Sequence, residues 1–177
     1  MSGDKDWLVA ESGLPPIISV VGTSNVGKTT LILKLIAELK RRGYRVATLK
    51  HDVHGFEMDQ PGKDSWRHAQ AGSDVVFLAS PRKLAMVRAL DRELSIDEIA
   101  RFAVDVDILL TEGYKRADKP KIEVSRRAKG AGLVSDPKDL VAVATDHPIA
   151  LDVPQFDLDD AAGLVDLIEK RFLHPGS

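Results

Sequence analysis

The 177-residue sequence contains no cysteine. Disulfides, thiolate metal sites and cysteine nucleophiles are therefore excluded, and a reducing compartment is favoured. Long hydrophobic runs are also missing, because no apolar stretch approaches the ~20 residues of a membrane-spanning helix. The polar segment Met1 to Gly13 lacks the apolar centre of a signal peptide. We therefore expect a cytoplasmic protein that does not contact a membrane.

An excess of charge of one sign is absent as well. The 25 basic and 27 acidic side chains give a formal net charge of -2. A general nucleic-acid binder normally carries a basic excess, so we expect no nucleic-acid partner. The length suits one domain that buries its own core without staples. We predict a flexible N-terminus at 1–14 and a single domain at 15–177.

Short β-branched runs alternate with amphipathic segments along the chain. Apolar runs predict buried strands, and apolar residues spaced by three and four predict helices. The predicted strands are 17–21, 44–49, 74–79, 107–111, 121–124 and 140–145. The predicted helices are 28–42, 63–71, 95–103 and a last one capped by Asp157 that ends near 173.

A turn at 80–82 and an apolar run at 83–88 predict an antiparallel hairpin. The segment 126–132 is rich in basic residues and glycine and predicts a mobile loop. Strands that alternate with helices form mostly parallel sheets with helices on both faces. The sequence therefore predicts a three-layer α/β fold with one antiparallel hairpin.

The turn between the first predicted strand and helix reads GTSNVGKT and fits the pattern G-x-x-x-x-G-K-(S/T). Its glycines let successive backbone N–H groups point into one concavity, and the helix N-terminus adds positive charge. In such a loop Lys28 reaches the phosphates and Thr29 coordinates magnesium. These features predict the P-loop NTPase fold and a nucleoside triphosphate site. The site is predicted to comprise Gly22, Thr23, Ser24, Asn25, Val26, Gly27, Lys28, Thr29 and Thr30.

A P-loop protein also needs an acid near the magnesium. Asp107 and Glu112 stand at opposite ends of one predicted strand, about 16 Å apart at 3.3 Å per residue. Ligands bind outside the carboxyl ends of parallel strands. Glu112 is therefore the candidate for the metal site, and Asp107 is expected to be a solvated strand start.

Histidines and acids crowd the loop after the second predicted strand. We expect His51 and His54 to surround the phosphates and magnesium, and Asp52 and Asp59 to join the magnesium shell or to position water. His51 and His54 also suit a zinc site, but no further ligands stand at metal-site spacing. Helix capping by Asp64 or Ser65 is an equally open alternative to a role at the ligand.

Together these motifs resemble the molybdopterin-guanine dinucleotide biosynthesis adaptor family, the "protein B" of molybdenum cofactor maturation. The matching segments span most of the chain. They are the P-loop, Lys50-His51-x-x-His54-x-Phe56-x-x-Asp59, Pro61-Gly62-Lys63-Asp64-Ser65, Ala71-Gly72, Glu112-Gly113-Tyr114-Lys115, Pro120-Lys121-Ile122-Glu123-Val124, Arg126 and Thr145-Asp146.

The resemblance implies a GTP-binding protein with weak GTPase activity. It implies a homodimer in which the hairpin at 80–88 takes part. It also implies partnership with a molybdopterin guanylyltransferase and other molybdenum cofactor proteins, and molybdopterin or its guanine dinucleotide as a further ligand. Magnesium would be held by Thr29, Asp59 and Glu112, with Lys28 completing the catalytic set. Lys63, Asp64 and Ser65 would lie near the nucleotide or cofactor.

GTP rather than ATP follows from the resemblance alone, because the guanine-reading N-K-x-D signature is absent. Asp146 occupies a plausible base-reading place, since a carboxylate accepts both guanine N–H groups, but a turn carboxylate before Pro148 fits equally well. A basic stretch follows Glu112. It is either a solvated loop or a rim for anionic phosphates, and comprises Lys115, Arg116, Lys119, Lys121, Arg126, Arg127 and Lys129.

Two other functions stay open. A small-metabolite kinase would use an arginine-bearing lid, for which 126–129 is the candidate. A non-catalytic scaffold would use its nucleotide only to stabilise a dimer.

Overall fold

The computed structural model describes residues 13–52, 55–130 and 132–174. They divide into two compact units, one within Met1–His51 and Ile96–Ser177, the other within Asp52–Ser95. Most of the predicted flexible segment, residues 1–12, lies outside the described residues. No helix of the described part combines the length and apolarity that crossing a membrane requires. The single-domain assignment stays a prediction.

The larger unit is built on a six-stranded sheet in the order β2-β5-β1-β6-β7-β8. Every neighbouring pair in it is parallel. The strands are β1 (Ile17–Val21), β2 (Val46–Lys50), β5 (Ile108–Glu112), β6 (Lys121–Ser125), β7 (Leu140–Thr145) and β8 (Gln155–Phe156). This arrangement confirms the predicted parallel sheet and places β1 between β5 and β6.

Helices cover both faces of this sheet. The helices of the unit are α1 (Lys28–Arg41), α3 (Ile96–Ala100) and α4 (Ala161–Ile168). One core contains α1 and α4 side chains packed on Ile18 and Val20 of β1. A second core joins α3 to Ile17 and Leu109 on the opposite face. The alternating side chains of β1 therefore feed two cores, as the three-layer fold requires.

Helix α1 follows from its sequence pattern. Leu31, Leu35 and Leu39 recur at spacing four and are buried together. Two basic residues in the last turn suit the helix dipole. Gly43, at φ 93, ends the helix in the left-handed region that glycine adopts most readily.

The smaller unit contains α2 (Asp64–Gln70) and an antiparallel pair, β3 (Val75–Ser80) and β4 (Lys83–Arg88). The register runs from Val75 opposite Arg88 to Ser80 opposite Lys83. The predicted hairpin is thus confirmed. Most of its side chains are exposed, including the large apolar ones Phe77, Leu78 and Leu84.

One prediction about local structure was wrong, and three local features were not predicted. The last helix is capped by Asp160, whose carboxylate accepts from the Gly163 amide, and not by Asp157. That helix passes at Glu169–Leu173 into a π-helical turn. The two-residue strand β8 was not predicted, because so short a run carries little pattern. A 3₁₀ helix at Arg127–Lys129 was also not predicted, and it lies within the segment predicted to be a mobile loop.

Candidate functional site

The P-loop begins at a position that only glycine can occupy. Gly22 has φ 142, and a Cβ there would stand 2.6 Å from the Val124 carbonyl oxygen and 2.9 Å from a Val26 methyl group. The loop therefore packs directly on the end of β6. Val26 is buried and fixes the loop to the core beneath it.

The rest of the loop turns its backbone sharply into α1. Asn25 adopts φ 56, a left-handed conformation that asparagine tolerates better than most residues. Gly27, at φ 110, is the N-cap of α1, and its carbonyl accepts from the Leu31 amide at 3.0 Å. The free N–H groups of the first helical turn thus face the concavity of the loop, which is an anion-binding arrangement.

Lys28 is the first residue of α1 and folds back over the loop. Its Nζ donates to the Thr23 carbonyl oxygen at 2.8 Å. Burial lowers the pKa of Lys28 most strongly, and the ammonium groups of Lys115 and Lys50 lower it further, while the Glu112 carboxylate raises it. A phosphate group beside this amine would favour its charged form.

Thr29 and Glu112 are brought together across the sheet. Thr29 Oγ1 donates to Glu112 Oε1 at 2.8 Å. The contact arises because β1 and β5 are parallel neighbours, with Val20 opposite Glu112. Glu112 therefore stands at the carboxyl end of β5, beside the loop that follows β1. A hydroxyl and a carboxylate in this position are oxygen ligands of the kind that magnesium takes.

The chain turns tightly behind Glu112. Gly113 has φ 97 and Tyr114 has φ 54, and the Gly113 amide donates to the Val20 carbonyl at 3.1 Å. The His51 ring lies against that of Tyr114, with centroids 4.6 Å apart. The His51 amide also donates to the Glu112 carbonyl at 3.1 Å. His51 thus supports the turn that carries Glu112.

Asp107 is far from this edge, at the opposite end of β5. It is exposed, and its carboxylate accepts from the Arg45 amide at 2.6 Å. The expectation that Asp107 is a solvated strand start is confirmed.

Five further candidate residues belong to the smaller unit. Asp59 Oδ1 accepts from the Ser65 hydroxyl at 3.0 Å and from the Gln60 amide at 2.8 Å. Lys63 is the N-cap of α2, and Asp64 is its first helical residue. The alternative of Asp64 or Ser65 as the cap is therefore wrong. Roles for Asp52, Asp59, Lys63, Asp64 and Ser65 at the ligand stay predictions.

A zinc site has no support in the described residues. They contain no group of three or more His, Asp or Glu side chains that is suited to a metal ion. His54, which belongs to the predicted histidine pair, lies outside the described residues.

The loops after β6 and β7 approach the P-loop from the side opposite Glu112. Arg126 Nε donates to the Val26 carbonyl at 2.8 Å. Asp146 Oδ1 accepts from the Arg127 amide at 2.8 Å and lies 2.9 Å from His147 Nδ1. Sequence reasoning missed the contacts of Arg126 and His147. The Arg126 contact joins residues 100 positions apart, which leaves no local pattern.

The basic rim is smaller than the sequence suggested. Lys121 has no exposed surface, and its Nζ donates to Asp139 at 3.0 Å and to the Ala117 carbonyl at 2.7 Å. Its inclusion in a rim or solvated loop is therefore wrong. Glu123, also on β6, is buried and accepts the Val134 amide at 2.6 Å. The only sequence signal for these two buried charges is a lysine two positions before a glutamate within an apolar strand.

Known proteins resemble this chain over most of its length. A family model described as "Molybdopterin guanine dinucleotide synthesis protein B" matches residues 17–146. The molybdopterin-guanine dinucleotide biosynthesis adapter protein of Haemophilus influenzae is 35% identical over 161 residues and 90% of each chain. The protein of that name from Escherichia coli is 36% identical over 162 residues, which cover 86% of this chain and 91% of that one.

The fold is also found in solved structures. The crystal structure of Bacillus subtilis MobB matches with a TM-score of 0.71 and 29% identity, over 92% of this chain and 99% of that one. The predicted P-loop NTPase fold is thereby confirmed.

Proposed function

The chain belongs to the molybdopterin guanine dinucleotide synthesis protein B family, and from that premise we propose that it is a GTP-binding adaptor. It assists the attachment of GMP to molybdopterin and hydrolyses GTP slowly with magnesium. The observation that carries the proposal is the 2.8 Å contact between Thr29 and Glu112 beside the P-loop lysine.

The residues fit a magnesium-bound triphosphate. The close packing of Gly22 on the Val124 carbonyl holds the start of the loop in place, and the loop's glycines let successive backbone N–H groups point into one concavity that suits a phosphate. The Thr29 hydroxyl and the Glu112 carboxylate would supply oxygen ligands to the metal. A bound metal would neutralise part of the phosphate charge.

The chain's own residues supply the remaining steps. The amides of the loop and of the first turn of α1 hold the phosphate oxygens. Lys28 exchanges its carbonyl contact for the β- and γ-phosphates and places positive charge where negative charge develops. Glu112 contacts Thr29 and acts electrostatically on Lys28, so it is the proposed acid for the hydrolysis. We propose Asp59 as a second acid near the magnesium, on the basis of the family resemblance.

We also propose that the protein works as a homodimer with a molybdopterin guanylyltransferase and other molybdenum cofactor proteins. The names of the relatives from Haemophilus influenzae and Escherichia coli support the pathway. The exposed apolar side chains Phe77, Leu78 and Leu84 of the hairpin support a role for it in self-association. Molybdopterin or its guanine dinucleotide is the proposed further ligand.

The test is a reconstituted reaction of the guanylyltransferase with molybdopterin, GTP and magnesium. Wild-type protein is expected to raise the yield of the guanine dinucleotide, and Lys28→Ala is expected not to. Full stimulation by a Lys28→Ala variant that binds no nucleotide would favour the scaffold instead. Rapid phosphate transfer from GTP to a small acceptor would favour the kinase.

A further inference from the structure

The order of the strands gives the nucleotide site two distinct sides. Glu112 comes from β5 on one side of β1, whereas Arg126 and Asp146 follow β6 and β7 on the other. Thr29 contacts Glu112, so the metal and the terminal phosphates belong to the β5 side. A nucleoside attached to those phosphates has to extend in the opposite direction. The β7 edge lies two strands from β1, about 10 Å away, and offers the place for the base.

Arg126 forms a fixed plane on that side. Its Nε donates to the Val26 carbonyl at 2.8 Å, and its guanidinium lies 3.5 Å from where a Cβ on Gly27 would stand. Within the described part of the chain, nothing accepts a hydrogen bond from its terminal nitrogens. Guanidinium groups stack on flat aromatic rings, including nucleobases. Arg126 therefore both clamps the P-loop and offers a surface to a base.

Asp146 is held with one oxygen occupied and one free. Oδ1 accepts from the Arg127 amide and faces His147 Nδ1, whereas Oδ2 has no partner among the described residues. The side chain is 37% exposed, so a ligand can reach it. The Arg127 amide, and after it His147, lower the pKa of Asp146, which keeps the carboxylate an acceptor.

His147 fixes the direction of that carboxylate. Its side chain is only 6% exposed, and Nδ1 lies 3.1 Å from Thr145 Oγ1 as well as 2.9 Å from Asp146. His147 Nε2 and Ser125 Oγ, on neighbouring strand ends, are buried with no partner among the described residues. Buried polar atoms are nearly always satisfied. The ends of β6 and β7 therefore carry unused hydrogen-bonding capacity at the same place as the free carboxylate oxygen.

We propose that these two loops form the guanine subsite: the base lies against the Arg126 guanidinium, and Asp146 Oδ2 accepts its N1–H and N2–H groups. Arg127, through its amide, and His147 are positioning residues for that carboxylate. Adenine presents an acceptor at N1 and has no 2-amino group, so it meets the carboxylate with repulsion. This inference rests on the proposed nucleotide function and assigns its base specificity to named residues.

The direct test is Asp146→Asn, titrated with GTP, xanthosine triphosphate and inorganic triphosphate in the presence of magnesium. An asparagine amide donates to the 2-oxo group of xanthine but cannot accept two N–H bonds. We expect the GTP affinity to fall roughly 10- to 100-fold and the xanthosine triphosphate affinity to rise above that of wild type. Inorganic triphosphate should bind both proteins equally. Unchanged GTP affinity, or lost GTP affinity without a gain for the xanthine nucleotide, would overturn the inference.

Failure of the proposed function looks different from failure of this subsite. If wild-type protein bound neither GTP nor inorganic triphosphate, the nucleotide function itself would fall. If it bound both and Asp146→Asn still preferred GTP, only the base subsite would fall.

Two further variant pairs test the stacking and positioning residues. Arg126→Met should weaken GTP binding roughly 5- to 100-fold, and it should weaken the binding of inorganic triphosphate less. Arg127→Met keeps the backbone amide that contacts Asp146, so its GTP affinity should stay like that of wild type. His147→Ala should narrow the preference for GTP over ATP. His147→Asn, whose amide can replace Nδ1, should restore it. Equal effects of the two arginine variants, or an unchanged preference in His147→Ala, would contradict the assignment.

Discussion

The Thr29 hydroxyl donates to a Glu112 carboxylate oxygen at 2.8 Å, although 83 positions separate the two residues. The contact depends on the parallel pairing of β1 with β5, which brings their carboxyl ends to one edge. It joins the P-loop helix to the acid that a P-loop protein needs near its metal.

Removal of the Glu112 charge should uncouple magnesium from the nucleotide. In Glu112→Gln we expect the increase in GTP affinity caused by magnesium to shrink roughly tenfold or more, because a charged hydrogen-bonding partner contributes about 1.5–3 kcal/mol. Titrations with and without magnesium measure it. Asp107→Asn, at the other end of β5, is the matched control and should behave like wild type. An equal loss in both variants would argue against the metal assignment.

Gly22 should tolerate alanine much less than another glycine with positive φ. Its Cβ would meet the Val124 carbonyl at 2.6 Å, whereas a Cβ at Gly43 has nothing within 4 Å. We expect Gly22→Ala to lower the free energy of unfolding by about 2–5 kcal/mol, from backbone strain and overpacking. Gly43→Ala should cost only about 1 kcal/mol of strain. Urea denaturation compares them, and equal costs would contradict the close packing of the loop on β6.

Removal of the Asp139 charge from the buried Lys121–Asp139 pair should strongly lower the free energy of unfolding. Asp139→Asn leaves the fully buried Lys121 ammonium without its counter-charge, and we expect a loss of about 3–5 kcal/mol in the free energy of unfolding. Lys121→Met should lose less, because it removes the buried charge itself. Asp136→Asn, in an exposed pair with Lys138, is the control and should change little. A loss of less than about 1 kcal/mol in Asp139→Asn would contradict the burial of the Lys121 ammonium.

Much of the fold follows from local pattern. Strands β1 and β7 and the start of α1 were predicted to the residue, because β-branched runs and leucines at spacing four are local signals. Glu112 was separable from Asp107 by a rule about strand ends. Burial of Lys121 was not predictable, because lysines are nearly always exposed and its acid partner lies on a later loop. The contact of Arg126 with Val26 depends on the neighbouring positions of β1 and β6, which the sequence does not state.

Acid should destabilise the protein partly through Glu38. Hydrogen bonds from Arg41 and then Arg42 lower the pKa of Glu38 from 4.5 to about 2. Ionised Glu38 therefore contributes stability that is fully present above about pH 4.5 and is lost as the pH falls towards 2. In Glu38→Gln the loss of stability between pH 4.5 and pH 2 should be smaller than in wild type. Urea melts across this range measure it, with Glu57→Gln, an exposed carboxyl, as the control. The same acid dependence in Glu38→Gln and wild type would contradict the ion pairs.

We propose above all that the loop from Gly22 to Thr29 binds a nucleoside triphosphate with magnesium, and a calorimetric titration of GTP and ATP tests this binding most directly. Wild-type protein should bind GTP more tightly than ATP, and more tightly with magnesium than without it. Lys28→Ala should lose roughly 10- to 100-fold in GTP affinity, because a charged contact to phosphate is removed. Lys40→Ala, which removes an exposed lysine from the same helix, should bind like wild type. No detectable triphosphate binding by the wild type, or equal binding by Lys28→Ala, would contradict the account.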